Sequence, residues 1–401
     1  MASTLVAERF RVEAIEDLVS LGRLMPAWSE LLDKAGVDHP FLTPEWFVAW
    51  WEAFGQESAL RILTVHDGAD LVAVLPLMLH RDRLYGLPVR RLRSIGNWYT
   101  PRFDVLLAPR SRATAMTALW QGVVTRCGAW DVLQLDLVPD DSPLLESFEG
   151  LARARALPVG RTRGAHSPWV PLTGTWTSYL GTLPAKHRAN LRNRWRRLAA
   201  QGPVKLEAVG EGALAEVLAE GYRLEAAAWK GVAGTAIEAL PDARRFFSRL
   251  AELAAHRGWL RLQFLRVGDR RIAFHYALEY AGKLFLLKPG YDPAFAHYSP
   301  CNLLVALVLE ESFARGLTSY EFLGEADPWK LRWTSALRPH TWLFVFSPGL
   351  RGRLLHRIKF GLVPWLRPRL ADPRLRPLLK LLPGPWKQVA RVPRVAHGEA
   401  D

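Results

Sequence analysis

Residues 283–333, "KLFLLKPGYDPAFAHYSPCNLLVALVLEESFARGLTSYEFLGEADPWKLRW", decide how this chain is read. A β-like apolar run leads through a polar, proline-containing loop into an amphipathic helical stretch. A second short β-like run then stops at a cluster of acids, glycine and lysine. A strand ending at "LLKPGYDP", a loop, and a helix opening near Pro300 bring the first N–H groups of that helix to the end of the strand, where they can hold an anion such as a pyrophosphate. An ordinary strand-to-helix connection has the same spacing, and neither GxGxxG nor GxxxxGK[ST] occurs. Spacing alone leaves both readings open. The second run ends near Phe322, so Glu321, Glu325, Asp327 and Lys330 stand at or beyond the end of a strand, where open α/β sheets take ligands. A carboxylate there can act as general base toward an amine, and Lys330 can meet a phosphate or a developing oxyanion. A solvated loop carrying a surface ion pair accounts for the same residues.

Upstream, "WLRLQFLRVGDRRIAFHYALEYAGK" supplies strands with turns at "VGDR" and "AGK". The order is hairpin, loop, helix, strand. The first half has the same order: "LRILTVHD" and "LVAVLPLMLHRD" across "GAD", the loop "GNWYTPRFD", the helix "ATAMTALWQGVVTRC" and the strand "WDVLQLDLV". This repetition predicts an approximate duplication. The expected fold class is α/β (α+β): domains 1–165 and 166–348, each a mixed, mostly antiparallel sheet flanked by helices, followed by a basic tail, 349–401. The first half lacks the acid and lysine cluster, so its loop is expected to be structural or acceptor-binding. In "FLTPEWFVAWWEAFG", Thr43 is the expected N-cap and Pro44 a first-turn proline, with Phe47, Trp50, Trp51 and Phe54 as a core stripe.

Between the halves, residues 186–200 read as an amphipathic basic helix. Leu191, Trp195 and Leu198 form one stripe, and Arg188, Arg192 and Arg196 recur every four residues on another face. That face can contact the phosphates of RNA or of a cofactor, or can simply be solvated. The whole chain has 401 residues, 49% of them hydrophobic, with a net charge of +14 and a pI near 10.1. Such a charge attracts nucleic acid, acidic lipid or a phosphate-bearing cofactor without choosing among them, and compositional bias toward arginine produces the same excess. Two cysteines, Cys127 and Cys301, make neither a disulfide framework nor a metal site. No signal peptide and no bilayer-spanning segment is expected, so the reading is cytoplasmic, soluble or peripheral. The tail, rich in arginine, proline, leucine and tryptophan, is expected to form short helices that pack on the body or lie on a membrane surface. No Ser-His-Asp order, HExxH or CxxC supports a hydrolase or metal enzyme, and His275 reads as a structural strand residue.

Three blocks, "LEAAAWKGVAGTAI" (224–237), "YDPAFAHYSPCNLLVALVLEESFARG" and "YEFLGEADPWKLRW", resemble the CelD/BioF2-like acetyltransferases, a branch of the GNAT superfamily associated with bacterial polysaccharide synthesis. The resemblance extends from about Phe41 to Phe346 and implies a relation to the FemABX peptidyltransferases, whose GNAT-like domains are tandem. It implies acetyl-CoA or another acyl-CoA as co-substrate, no metal, and an amine acceptor, such as a small molecule, an amino sugar or a glycan precursor. It also implies that Tyr291, Ser299, Cys301 and Asn302 line the acyl-CoA pyrophosphate site, with Glu325, Glu321 and Lys330 near the reacting centre; Arg192 of the basic helix is a further candidate phosphate contact by its charge. Cys301 departs from the family, which often has glycine after "SP". Two alternatives remain: a Fem-like transferase using aminoacyl-tRNA, and a non-catalytic scaffold of a polysaccharide synthase.

Overall fold

Period-two runs of apolar residues set the strands, and capping residues set the helix starts. The computed structural model describes residues 10–209, 214–227, 234 and 236–366. The first half contains β1 (Phe10–Ile15), α1 (Leu18–Ala35), α2 (Pro44–Phe54), β2 (Ser58–Asp67), β3 (Asp70–Leu84), β4 (Leu87–Ser94), β5 (Leu106–Leu107), α3 (Arg112–Thr125), β6 (Val132–Pro139), α4 (Pro143–Arg153) and β7 (Val159–Pro171). The second contains α5 (Trp176–Thr182), α6 (Ala185–Ala199), β8 (Val204–Val209), α7 (Leu214–Ala227), α8 (Pro241–His256), β9 (Leu260–Val267), β10 (Arg270–Tyr280), β11 (Lys283–Tyr291), α9 (Pro300–Ala314), β12 (Ser319–Glu321), β13 (Leu337–Phe346) and α10 (Leu350–Arg357). Thr43 caps α2 as expected, its hydroxyl accepting the Trp46 N–H at 3.3 Å. The hairpins close at "GAD" and "VGDR" with Gly68 and Gly268 at positive φ, a conformation that a β-carbon disfavours.

One mixed sheet, mostly antiparallel and flanked by helices, runs through both halves in the order β1-β2-β3-β4-β6-β13-β7-β12-β11-β10-β9-β8, with β5 beside β3. The order is the same from either edge. β4 runs parallel to β6 and β11 parallel to β12, and each of these pairs is joined through a helix, α3 or α9. The other ladders are antiparallel. At the centre the halves exchange strands. β13 of the second half pairs with β6 (Phe344 opposite Gln134), and β7 of the first half pairs with β12 (Trp169 opposite Glu321). β7 and β13 also pair with each other. The residue 165/166 boundary read from the sequence therefore falls inside β7, because a strand's own letters do not say whose sheet it joins.

The cores follow the same logic. One cluster joins α1 and α2 of the first half to α7 and α8 of the second, with Trp46 edge-on to Phe246 at 5.3 Å and the Arg257 guanidinium on Glu45 at 2.7 Å. A second lies under α3 and α4, and a third under α6 and α9. Each large side chain so buried stabilises the fold by about 1.5–3 kcal/mol. α2 uses Phe47 and Trp50 as core, as expected. In α6 the buried face is His187, Leu191 and Leu198, whereas Trp195 is 36% exposed. The apolar stripe expected there is thus narrower, with Trp195 at its exposed edge. Among the described residues no helix is long and apolar enough to cross a membrane. Part of the 224–237 block and the tail beyond Leu366 lie outside the described residues.

Candidate functional site

β11 and β12 pair over three residues only, Lys283–Phe285 with Ser319–Glu321. Beyond them the chain leaves β12 through Leu323 and Gly324, both at positive φ, while β11 continues to Tyr291, held on its other edge by β10. The strands part, and the ladder between them ends at Phe285. An extended ligand can add its own amides to such a strand edge.

One wall of this split is the loop after β12. The Lys330 ammonium donates to the carbonyl oxygens of Leu323 and Glu325, both at 2.9 Å, and pairs with the Asp327 carboxylate at 2.9 Å. These three acceptors match its three protons, so the lysine expected to meet a substrate anion clamps its own loop. The Glu325 side chain is exposed on that loop. Glu321 is 1% exposed and projects to the face opposite its neighbours Tyr320 and Phe322, which lie in the core under α9. There Arg338 of β13 grips both of its oxygens at 2.9–3.2 Å, and the Ser319 hydroxyl donates to it at 2.9 Å. The Arg338 guanidinium also lies 4.0 Å over the Trp169 ring of β7. Glu321 thus ties the exchanged strands together, and the structure separates it from Glu325.

Four of the expected binding residues do meet, at the end of β11 and the start of α9. Ser299 turns the chain at φ 49°, and its carbonyl accepts the N–H groups of both Asn302 and Leu303. Pro300 has no N–H, so this helix start has few donors to spare. The Cys301 thiol reaches the Gly290 carbonyl of β11 at 3.5 Å, and the Asn302 side chain accepts from the Trp333 indole at 3.3 Å. The Tyr291 phenol is raised above its usual range by burial and by the neighbouring Cys301 thiol. Across this start lies α6. His187 stands edge-on to Trp333 at 4.7 Å, and the Arg197 guanidinium sits 5.5 Å over the Tyr298 ring. Burial, then Arg332 and Arg194, hold His187 down to about 4, so it is a neutral packing residue at neutral pH. Arg192 is exposed midway along α6.

The other flank of β11 was not legible in sequence. A β-carbon on Gly290 would stand 2.5 Å from the Glu225 α-carbon, so α7 rests directly on the end of β11. Glu225 is fully buried and accepts the Ile237 N–H at 2.9 Å. Lys288 of β11 points the same way, its ammonium 4.6 Å from the Tyr99 ring and 5.4 Å from Phe247. Tyr99 belongs to the first half's "GNWYTPRFD" loop, which therefore leans over the second half's split and carries Trp98 83% exposed beside it. Arg102 of the same loop is buried, and the Glu321 carboxylate opposes the loss of charge that burial favours there. His275 of β10 stands opposite Pro289 of β11, fully buried, and burial holds it down to about 3. Among the described residues no group of three or more His, Cys, Asp or Glu could hold a metal ion.

Known proteins resemble this chain. The acetyltransferase (GNAT) domain family matches residues 185–331, which include α6, β11, α9 and the Lys330 loop. The C-terminal domain (DUF2156) of a protein assigned as a lysylphosphatidylglycerol synthetase from Agrobacterium fabrum is 12% identical, aligns over 84% of this chain and 95% of its own, and has a TM-score of 0.52. FemX is 11% identical over 77% of this chain and 92% of its own, with a TM-score of 0.51. A tandem GNAT protein from the clavulanic acid biosynthesis pathway is 13% identical over 85% and 99%, with a TM-score of 0.46. No curated protein sequence matches the chain. The fold is GNAT-type, and the split between β11 and β12 lies within the matched domain.

Proposed function

We propose that the chain is an acyltransferase that moves an acetyl or other acyl group from coenzyme A to an amine, with the β11–β12 split as its acyl slot. The observation that supports this reading is the end of the β11–β12 ladder at Phe285, where the two strands part beside the start of α9, inside the GNAT-matching segment. The amide-bearing arm of an acyl-CoA suits a strand that parts from its neighbour in this way. Its phosphates need cations, because Pro300 and the returning N–H groups leave the helix start poor in donors. α6 supplies them: Lys186, Arg188, Arg192, Arg196 and Arg197 carry no carboxylate partner among the described residues.

The chemistry is direct transfer. The neutral amine attacks the thioester carbonyl, a C–N bond forms, the C–S bond breaks, and the thiolate leaves. The amine must lose a proton, and Glu325 is the better placed acceptor of the two glutamates, since Arg338 and Ser319 already occupy Glu321. Trp98 and Tyr99 form the acceptor side, where an aromatic surface suits the apolar face of an amino sugar or a glycan precursor, in keeping with the resemblance to the CelD-like branch.

The α6 cations that lack a carboxylate partner favour one second reading, a donor carried on RNA, such as an aminoacyl-tRNA. Isothermal titration separates the two. The expected result is micromolar binding of acetyl-CoA, weakened about tenfold or more in Arg192→Ser/Arg197→Ser. No binding of acetyl-CoA, together with salt-labile binding of tRNA, would replace the first reading by the second.

A further inference from the structure

The last described segment faces outward as much as inward. From Leu350 to Leu366 the chain is helical throughout, with a π-helical turn at Ile358–Leu362. Its inner face is anchored on the middle of the sheet. Leu355 and Phe360 pack with Val89, Val132, Phe344 and Phe346, and His356 stands 5.5 Å from the Phe346 ring. Gly352 passes so close to Ser347 that a β-carbon would meet its carbonyl oxygen at 2.1 Å. The anchoring fixes which side faces solvent.

That outer side is apolar. Leu350 is 86% exposed, Leu354 50%, Leu362 40% and Trp365 55%, a stripe about 22 Å long at the rise of a helix. Arg351, Arg353 and Arg357 are exposed beside it, and no acid occurs between Ser347 and Leu366. The tip of the β3–β4 hairpin packs on the same cluster through Leu84 and Leu87, and it adds Arg81 and Arg83, both exposed. The nearby acid Asp82 is paired with Arg91, and Asp131 is paired with Arg90 at 3.2 Å and more loosely with Arg351 at 3.9 Å, which leaves Arg353 and Arg357 as the helix arginines facing outward.

We infer that this face is a docking surface for an anionic lipid bilayer, with the helix lying in the plane of the interface and the leucines and Trp365 inserted among the headgroups. Charge decides against the other occupants. A second copy docked on this face would bring like guanidinium groups together. Residues 367–401 would do the same, since they carry Arg367, Arg369, Arg374, Arg376, Lys380, Lys387, Arg391 and Arg394 against three acids. An acidic headgroup layer meets both the apolar stripe and the cations flanking it. The inference is independent of the acyl-transfer reading.

Sedimentation of the full chain with vesicles tests it, using phosphatidylcholine alone and phosphatidylcholine mixed with phosphatidylglycerol. The parent is expected to bind the mixed vesicles only, and more weakly as salt rises. Leu350→Glu/Leu354→Glu and Arg353→Glu/Arg357→Glu should each lower binding about tenfold or more. Both pairs are solvent-facing, so melting temperatures equal to the parent's should accompany the loss. A chain ending at Leu366 should still bind the mixed vesicles. The inference is overturned by equal binding to both vesicle types or to neither, by parent-like binding in the two double variants, or by loss of binding in the shortened chain. A parent dimer that Leu350→Glu/Leu354→Glu converts to monomer would assign the face to self-association instead.

Discussion

The two halves share a topology and treat its weak point in opposite ways. In the first half, β4 and β6 pair over Arg91–Arg93 and Val132–Gln134, and the gap beyond them is stitched shut. Arg93 and Gln134 both donate to the Asp136 carboxylate, at 2.7 and 2.6 Å, and the Ser94 hydroxyl accepts the Asp136 N–H at 3.1 Å. The first half's own loop then fills the space, with Phe103 buried and its N–H on the Leu137 carbonyl. In the second half the corresponding ladder residues are Phe285 and Glu321, and Glu321 turns away to Arg338. The acid of that ladder thus bonds toward β13, whereas Asp136 of the first half bonds back to β4 and β6. The acidic side chain at the ladder's end binds the two parting strands together in one half, and in the other it reaches past them to β13.

Three predictions test that contrast. The largest effect is expected at the junction both halves share. Arg338→Met leaves the Glu321 carboxylate buried without its cation, and chemical denaturation should show a loss of about 3–5 kcal/mol. A loss under about 1 kcal/mol would mean that the exchanged strands do not depend on this pair.

Next is the loop that fills the first gap. Burial raises the Asp104 carboxyl to about 6, against the bonds it accepts from Ser142 at 2.6 Å and from the Val105 N–H at 2.8 Å. The raised value means that the folded state holds its proton more tightly. Its stabilising contribution is complete below the unfolded value of 3.8 and is lost as pH rises through about 6. Asp104→Asn keeps both bonds and has no proton to lose. Its stability relative to the parent should rise by about 3 kcal/mol between acidic and neutral pH. A pH-independent difference would refute the assignment.

The smallest pair of effects separates the halves most directly. Lys330→Met should cost about 2 kcal/mol and abolish acetyl-CoA binding, because the wall of the open split collapses. Asp136→Ala should cost about 1 kcal/mol and leave that binding unchanged. Equal effects on binding would erase the distinction between a stitched gap and a working one.

Local order was legible in the letters: hairpins at glycine turns, an N-cap at Thr43, and helices where apolar spacing changed from two to between three and four. Partnership was not. The strand β7 reads as polar and proline-flanked, and nothing in "GRTRGAHSPWV" says that its neighbours lie in the other half. Lys330 looked available for an anion because its acceptors are mostly backbone carbonyls, which sequence does not display. Glu321 found its partner Arg338 across a loop and a strand exchange. Tyr291, Ser299, Cys301 and Asn302 were found together because they are close along the chain. Tyr99 and Lys288 were not, because a first-half loop and a distant second-half strand had to be brought into contact.

The strand exchange also sets a schedule for synthesis. β6 is made early, yet the neighbour that completes its edge, Leu337–Phe346, is still roughly two hundred residues away. At a translation rate of about 5–20 residues per second, that edge waits roughly ten to forty seconds on the ribosome. During that interval the first half is an unfinished sheet with an open flank. This chain therefore matures as one interlocked unit, after its last strand has emerged.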